Sequence, residues 1–235
     1  MFFEKLFLVI KIIDWVIKIG GSLVPESAIS LINELKGTNT LLVIGGGEFA
    51  NLIRKYDMEI GFSNDVTHET AINSMDILAK LLNDKFNFTK LAKTINQAVK
   101  ISNEGKIPIL LCSELLLIED PFEHTWDVTS DSIAAYVSHL INAKLLIATN
   151  VNGIYTRQPT LEGSKFIEEI DVKKLLTFEE SSIDLMLPST LIRFESDCYI
   201  VNGNFPKRVL SIITNQGNFD AFPYTYIKGD KKWKK

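Results

Sequence analysis

Short, β-branched apolar runs alternate along this chain with segments of helical periodicity, and this alternation limits the folds available to it. The apolar runs are Val16–Ile19, Leu41–Ile44, Ile107–Cys112, Leu145–Ala148 and Cys198–Val201. Runs that are apolar at every position are typical of strands buried on both faces. Such strands occur where helices cover both sides of a parallel sheet, so we predict an α/β sandwich.

The length of the chain, 235 residues, suits one large domain or two closely joined lobes. The softest boundary is the polar stretch Ile118–Thr125, which contains Pro121. We therefore divide the chain into an N-terminal extension (residues 1–14), an N-lobe (15–120) and a C-lobe (121–235). We expect the two lobes to share one continuous sheet in a single domain.

Composition and charge exclude several classes of protein. The chain is 46% hydrophobic and 23% charged, which is ordinary for a globular protein. Its formal net charge is −4, whereas a protein that coats nucleic acid needs a basic face. The first apolar run, Leu6–Ile10, is too short for a signal peptide, and no run reaches the roughly 18 residues of a membrane-spanning helix. We expect a cytoplasmic protein that binds neither nucleic acid nor membrane.

The cysteines and histidines do not form a metal-binding motif in the sequence. Cys112 and Cys198 lie far apart, as expected for buried free thiols in a reducing compartment. His68, His124 and His139 lack metal-ligand spacing. We therefore predict no metal ligands among the protein side chains.

Two glycine-rich loops follow the first two predicted strands, and each continues into a helix. Their residues are Gly20, Gly21 and Ser22 in the first loop and Gly45, Gly46 and Gly47 in the second. Glycine lets backbone N–H groups approach an oxyanion, and a helix N-terminus adds positive potential. One such loop is explained equally well by a tight turn. Two of them, with Lys18 just before the first, favour phosphate binding.

A competing interpretation of the second loop is dinucleotide binding. Gly45–Ala50 satisfies the G-x-G-x-x-G/A pattern after a strand, and Asp65 lies 20 residues further on. A dehydrogenase of this kind would leave Lys18 and the first loop without a role. The Walker A pattern is absent, which excludes a P-loop enzyme.

Two polar segments in the second half of the chain are placed where a ligand would bind. Trp126–Ser132 opens the predicted helix Ile133–Ile141, with Thr129 or Ser130 as its N-cap and an aspartate in its first turn. Ala148–Tyr155 is a polar loop at the end of a strand, the expected ligand position in a parallel sheet.

Taken together, these four segments resemble the amino acid kinase family, over the range Trp15–Ile227. The resemblance implies a three-layer α/β/α sandwich with a central, mostly parallel sheet of about eight strands. It also implies ATP with Mg²⁺ as the phosphoryl donor, direct transfer to a small-molecule acceptor, and a homo-oligomer.

The resemblance also assigns roles to residues of this chain. Lys18 would neutralise the transferring phosphoryl group, and Asp131 would orient Lys18. The residues implied at the ATP phosphates and nucleotide are Gly20, Gly21, Ser22, Thr149, Asn150, Gly153 and Tyr155. The residues implied at the acceptor are Gly45, Gly46, Gly47, His68, Trp126, Asp127 and Ser130.

Within the family, His124–Ala135 and His68–Asp76 resemble the archaeal kinases of methanofuran biosynthesis. Their acceptor is [5-(aminomethyl)furan-3-yl]methyl phosphate, a phosphomonoester that becomes a diphosphate. Trp126 and His68 would line the furan or amine pocket, with Asp127 facing the amine, although packing or helix capping explains each residue equally well. UMP, isopentenyl phosphate and an amino-acid carboxylate remain alternative acceptors, and a non-catalytic nucleotide- or oxyanion-binding relative remains an alternative function.

Three features depart from the family pattern. Asn150 and Asn152 replace its usual aspartates. Many relatives carry a second catalytic lysine after a methionine in the C-lobe, but here Met186 is followed by Leu-Pro-Ser, and Arg193 is the only cation between Lys174 and Lys207. The closing Gly-Thr-x-Ile segment of the family is Tyr-Thr-Tyr-Ile in this chain, which removes the glycine.

Overall fold

The computed structural model describes residues 13–157, 160–177, 183–215 and 221–230. Residues 1–12 of the predicted N-terminal extension and the Lys-rich end after residue 230 lie outside the described residues. The described strands are β1 (Trp15–Ile19), β2 (Thr40–Ile44), β3 (Thr89–Ala92), β4 (Ile107–Leu110), β5 (Lys144–Thr149), β6 (Ile154–Tyr155), β7 (Phe166–Ile167), β8 (Glu169–Asp171), β9 (Cys198–Asn202) and β10 (Tyr224–Lys228).

The described helices complete an alternating β/α order along the chain. They are α1 (Glu26–Glu34), α2 (Gly47–Ile60), α3 (Asn64–Asn83), α4 (Ile95–Asn103), α5 (Cys112–Glu119), α6 (Ser130–Leu140), α7 (Val172–Leu175), α8 (Leu187–Arg193) and α9 (Pro206–Thr214). A short 3-10 turn, Gly21–Leu23, follows β1.

One eight-stranded sheet runs through the molecule in the order β3-β4-β2-β1-β5-β9-β10-β8. Neighbouring strands are parallel throughout, except that β10 is antiparallel to β9. β6 and β7 form a separate antiparallel ribbon. The prediction of a mostly parallel sheet of about eight strands is confirmed.

Two hydrophobic cores, one on each face of the sheet, account for the continuous apolar runs. Successive residues of β1 and β2 alternate between the cores: Val16 and Val43 face one, whereas Ile17 and Ile44 face the other. The first core also contains residues of α4, α5, α6 and α8, and the second contains residues of α1, α3 and α9. Because both faces are covered, the central strands β1 and β2 are buried at every position, and nearly all of their residues are apolar.

The described structure differs from the predicted elements near the middle of the chain. The apolar run predicted as a strand to Cys112 ends as a strand at Leu110, and Cys112 begins α5. Only Cys112, the last residue of this run, belongs to the helix, and α5 buries Cys112 and Leu116 in the first core. α5 ends at Glu119, and an irregular connection leads from there to α6.

None of the described helices combines the length and the apolar character needed to cross a bilayer.

Candidate active site

Three adjacent parallel strands, β1, β2 and β5, end side by side and deliver their following loops to one place. Hydrogen bonds link the first residues of these loops: Gly20 N donates to Ala148 O (2.8 Å), and Gly45 N donates to Ile19 O (2.9 Å). The carboxyl edge of the sheet therefore brings together segments that are more than 100 residues apart in sequence.

The two glycine loops pack backbone against backbone. A Cβ atom at Gly21 would overlap the backbone of Gly47, which itself has a φ of +56°. A Cβ atom at Gly45 would lie 2.9 Å from the nitrogen of Gly21 and 3.0 Å from Oγ of Ser130. No side chain larger than hydrogen fits between these loops, so the glycines are needed for close approach and not only for turning.

Lys18 and Asp131 form a buried ion pair beside these loops. Lys18 is the fourth residue of β1, and Asp131 lies in the first turn of α6. Lys18 Nζ lies 2.6 Å from Oδ1 of Asp131. The contact is an ion pair whose angles do not meet hydrogen-bond geometry. The two residues are only 7% and 5% exposed, which removes most of the solvent screening of this pair.

Asp184, just before α8, organises the N-terminus of α6. Its Oδ2 accepts hydrogen bonds from Thr129 N (3.0 Å), Thr129 Oγ1 (2.9 Å) and Ser132 N (3.0 Å). Its Oδ1 accepts from Ser132 Oγ (2.7 Å) and Leu187 N (2.6 Å). Burial, and then the nearby Asp131 carboxylate, raise the pKa of Asp184, whereas these hydrogen bonds oppose the increase. Asp184 also donates its backbone N–H to Oδ2 of Asp131 (3.2 Å).

A third cluster is formed by residues of α2 and of the segment before α6. The Arg54 guanidinium lies 4.7 Å from the centroid of the Trp126 ring, and the indole N–H of Trp126 donates to Oδ2 of Asp57 (2.8 Å). Arg54 Nη2 donates a long hydrogen bond of 3.4 Å to Trp126 O, but its buried Nε has no partner. Among the described residues, no carboxylate lies within ion-pair distance of Arg54.

A cavity of about 320 Å³ is lined by the two glycine loops, by Lys18 and by the Arg54–Trp126 cluster. The predicted site residues that line it are Lys18, Gly20, Gly21, Ser22, Gly46, Gly47, His68, Trp126, Ser130 and Thr149. Arg54 lines it as well, and α3 contributes a largely apolar wall that includes Ile72 and Met75. The cavity is therefore lined by two cationic side chains, Lys18 and Arg54, by the glycine loops and by an apolar wall.

Other predicted site residues lie around this cavity rather than on its surface. Gly45 packs against Gly21 and Ser130, and Asp131 is paired with Lys18. Asp127 is exposed and does not line the cavity, while Thr129 serves as the N-cap of α6 by accepting from Asp131 N (3.5 Å). Neither the amine-binding role nor the capping role expected of Asp127 is supported by this position.

The loop after β5 lies beyond Thr149, towards β9 and β10. The exposed Asn150 accepts a hydrogen bond through its backbone carbonyl from the Asn202 side chain (3.3 Å). Gly153, with a φ of +153°, packs against Thr225, and Tyr155 packs edge-to-face on Phe166 at 5.3 Å. This loop is close to the strand edge but outside the described cavity.

Two of the segments that depart from the family pattern make hydrogen bonds within the described structure. Asn152 Oδ1 accepts from Arg208 Nη1 (3.0 Å) and from the Asn202 amide. In the segment that lacks the family's glycine, Thr225 Oγ1 accepts from Ile154 N (2.8 Å) and donates to Ile167 O (2.5 Å), which ties the β6–β7 ribbon to the sheet.

Arg193, at the end of α8, does not occupy the cavity. It donates to Pro121 O (3.3 Å) and lies over the ring of Phe194. Arg193 therefore does not replace a catalytic lysine in this conformation.

Asp65 does not occupy the position that a dinucleotide-binding site requires. It lies in the first turn of α3, and its Oδ1 is 2.6 Å from Nδ1 of His124. A ribose-binding carboxylate belongs at the carboxyl edge of the sheet, after a strand. Asp65 therefore does not support the dehydrogenase alternative, which is left with the glycine pattern alone.

Sequence reasoning missed Arg54 and Asp184. Arg54 is one of several charged residues of an amphipathic helix, so its residue type alone gave no signal. Its spacing of seven residues from Gly47 places both residues on one face of that helix and could have identified it. Asp184 carried no local signal, because its hydrogen-bond partners on α6 lie more than 50 residues away.

Comparison with known proteins agrees with this geometry. The model of the amino acid kinase family matches residues 15–202. A [5-(aminomethyl)furan-3-yl]methyl phosphate kinase from Methanocaldococcus jannaschii is 36% identical over 223 residues, covering 92% of this chain and 99% of that protein. A uridylate kinase from Methanococcus maripaludis is 28% identical and covers 87% of this chain and 97% of that protein.

A solved structure gives the same answer for the fold. The uridylate kinase from Archaeoglobus fulgidus superposes with a TM-score of 0.69 and 20% identity, over 91% of this chain and 99% of that one. With a family match over most of its length, glycine loops at the carboxyl edge of the sheet and a buried Lys–Asp pair between them, this chain belongs to the amino acid kinase family and is a kinase.

Proposed function

We propose that this kinase transfers the γ-phosphoryl group of ATP to [5-(aminomethyl)furan-3-yl]methyl phosphate, forming the diphosphate. The observation that carries the reaction class is the cavity that both Lys18 and Arg54 line. Two cations suit a reaction in which a phosphate attacks a phosphate. The identity of the acceptor is supported by the 36% identical relative, whose name specifies this substrate.

The donor phosphates fit the two glycine loops. Gly21 and Gly47 lie in close contact, and neither has a side chain that would cover the backbone of its loop. Backbone N–H groups in such loops bind phosphate oxygens. Lys18 would neutralise the transferring group while Asp131 holds its ammonium in place. Mg²⁺ would arrive with ATP and supply further charge neutralisation, held chiefly by phosphate and water oxygens.

The acceptor needs little chemical activation. A phosphate monoester is ionised at neutral pH, so its oxygen can attack without a general base, and the protein has to position and screen the two anions. Arg54 is a partly unpaired guanidinium in the cavity and would bind the acceptor phosphate, where its planar fork matches two oxygens. Trp126, His68 and the apolar wall of α3 would then surround the furan ring.

The loop after β5 is proposed to bind the nucleoside. Thr149 lines the cavity, and Asn150, Gly153 and Tyr155 lead away from it along the edge of the sheet. Asparagine amides can bond ribose or adenine without the charge of the family's aspartates. Arg208, paired with Asn152, adds a cation at this end of the site.

UMP is the second candidate acceptor, because a uridylate kinase covers 87% of this chain at 28% identity. A non-catalytic relative is disfavoured by the retained Lys18–Asp131 pair, which a protein that only binds nucleotide does not need.

A coupled ADP-release assay with Mg-ATP tests the proposal against four acceptors. These are the furan phosphate, UMP, isopentenyl phosphate and N-acetylglutamate. Turnover on the furan phosphate, with kcat/KM at least tenfold above the others, is the expected result. A preference for UMP would keep the phosphomonoester reaction and reassign the acceptor. ATP binding without turnover on any of the four would overturn the proposal in favour of a binding protein.

We also propose that the kinase is a homo-oligomer that uses α2. Phe49, Leu52, Tyr56 and Ile60 are spaced along one stripe of this helix, and each is at least 43% exposed. α2 buries none of its residues in the described chain, although its apolar stripe is typical of a helix that packs against a partner. A second copy of the chain is the simplest cover for this stripe.

A further inference from the structure

We propose that His68, Asp120 and His124 bind a transition-metal ion, with Zn²⁺ as the best-suited ion, beside the kinase cavity. One potential ligand atom from each of the three residues lies within 4.8 Å of the other two. This site is separate from the Mg²⁺ that accompanies ATP, and the inference does not depend on the identity of the acceptor.

The three residues come from separate parts of the fold. His68 lies in the second turn of α3 and lines the cavity, Asp120 is the C-cap of α5, and His124 lies in the connection to α6. The two imidazole rings are stacked, with centroids 4.2 Å apart and planes inclined by 14°. Tertiary structure thus joins two histidines that are 56 residues apart in sequence, so spacing along the chain could not indicate the site.

The electrostatics around the two rings suit a cation. Nε2 of His124 lies 2.8 Å from Oδ1 of Asp120, and Nδ1 lies 2.6 Å from Oδ1 of Asp65. These two carboxylates raise the pKa of His124, whereas burial and the neighbouring His124 lower the pKa of His68. A metal ion binds an imidazole nitrogen only in its deprotonated form, so metal binding at Nε2 of His124 would compete with protonation of that nitrogen.

Asp65 supplies a second, independent feature of such a site. A metal-binding histidine commonly donates its other ring N–H to a carboxylate, which fixes the tautomer and orients the ring. Asp65 stands at the Nδ1 side of His124, so it would direct Nε2 towards the ion.

The ligand set favours particular ions. Imidazole nitrogens suit Zn²⁺, Cu²⁺ and Ni²⁺, whereas Mg²⁺ and Ca²⁺ prefer oxygen ligands. Three protein ligands leave one position of a tetrahedral Zn²⁺ site for water or for a group of a bound molecule. The ion would link α3 to the connection that carries Trp126, two residues after His124. It would thereby fix the acceptor side of the cavity.

The test uses the untagged, full-length chain, stripped with a chelator and kept free of ATP. Co²⁺ is titrated while its visible absorption is recorded, and Zn²⁺ is then added as a competitor. We expect one Co²⁺ per chain, with the visible bands lost on addition of Zn²⁺. Zn²⁺ alone should also raise the Tm of the stripped protein, because it binds only the folded state.

Variants assign the ligands. His68→Gln and His124→Gln should abolish the Co²⁺ bands, and Asp65→Asn should weaken binding by about 10- to 100-fold. Asp120→Asn tests the third ligand at an exposed position that is not needed for packing. His139→Gln is the matched control, because His139 is exposed and stacks on Phe194. Its Co²⁺ binding should equal that of the wild type.

The proposal is overturned if the wild type binds neither Co²⁺ nor Zn²⁺. It is equally overturned if His68→Gln, Asp120→Asn and His124→Gln all bind these ions as the wild type does. Because no acceptor or nucleotide is present, failure here leaves the kinase proposal unchanged. Far-UV circular dichroism shows whether each variant is folded, and the Asp65 and Asp120 variants alter exposed side chains only.

Discussion

Burial makes Lys18 and Asp131 depend on each other for stability as well as for chemistry. Removing either partner leaves a charge at a site that is less than 10% exposed. Breaking a buried pair in this way costs about 3–5 kcal/mol.

We predict that Lys18→Met lowers kcat by a factor on the order of 10²–10³, as for other preorganised catalytic donors. The same variant should lose about 3–5 kcal/mol of unfolding free energy in urea denaturation. The double variant Lys18→Met/Asp131→Asn removes both charges and should recover most of that stability but none of the activity. Full turnover in either variant would contradict the proposed role of Lys18.

Arg54 is predicted to act on the acceptor and not on ATP. Arg54→Met should raise the KM for the acceptor by roughly 10- to 150-fold, since a charged hydrogen bond contributes about 1.5–3 kcal/mol. The KM for ATP should change little. Lys55→Met is the control, because Lys55 is an exposed neighbour paired with Glu59 on the same helix. Steady-state kinetics with each substrate varied in turn decide the point, and an equal increase in both KM values would refute it.

At the scale of whole elements, the packing of the β1 and β2 loops determines the shape of the phosphate site. Gly21→Ala would place a methyl group into the backbone of Gly47. We expect the loops to separate and kcat to fall on the order of 10²-fold, because reacting groups tolerate little misplacement. Gly105→Ala is the control: its φ is +76° with open space around it, so backbone strain costs about 1–2 kcal/mol without loss of turnover. Equal turnover in Gly21→Ala and the wild type would show that the loops adapt.

Because Asp184 is bonded to the N-terminus of α6, its contribution to the unfolding free energy depends on pH. The variant Asp184→Asn would turn an amide N–H₂ towards a backbone N–H donor. This costs about 1–3 kcal/mol of stability and should displace Asp131. In the folded state the pKa of Asp184 is raised, so the folded protein binds this proton more tightly than the unfolded chain does. The stability that the carboxyl group contributes is therefore greatest below its unfolded pKa of about 3.9, and falls as the pH rises through the folded value.

Asn does not titrate, so the gap in unfolding free energy between wild type and Asp184→Asn should narrow as the pH rises above about 4. Urea denaturation between acid and neutral pH measures this gap. A gap that widens with pH would mean that Asp184 has a lowered pKa in the folded protein.

For the molecule as a whole, the uncovered stripe of α2 leads to a prediction about assembly. Leu52→Glu places a charge at the centre of the stripe and should shift the mass in solution, measured by light scattering, towards that of the 26.5 kDa monomer. Leu161→Glu is the control, since Leu161 is similarly exposed but lies elsewhere. A wild type that is already monomeric would remove the oligomer proposal.

Local sequence features predicted much of the architecture at this scale. Apolar runs located β1, β2, β5 and β9 to within about two residues, because burial on both faces leaves a continuous apolar signal. The run to Cys112 was misassigned in part, since an apolar segment can also form a buried helix. The catalytic roles of Lys18 and Asp131 were implied by the family resemblance and not by periodicity.

The sequence by itself therefore determined the class of fold, the central strands β1, β2, β5 and β9, the two glycine loops and the helix that begins after Thr129. Each of these features depends on neighbours a few residues away, so it can be recognised from a short stretch of sequence. Only the tertiary structure brought Asp184 to α6, Arg54 to Trp126, and His68 to His124, and it moved Asp127 away from the cavity. These contacts join residues more than 50 positions apart, and the arrangement of strands in the sheet decides which of them meet.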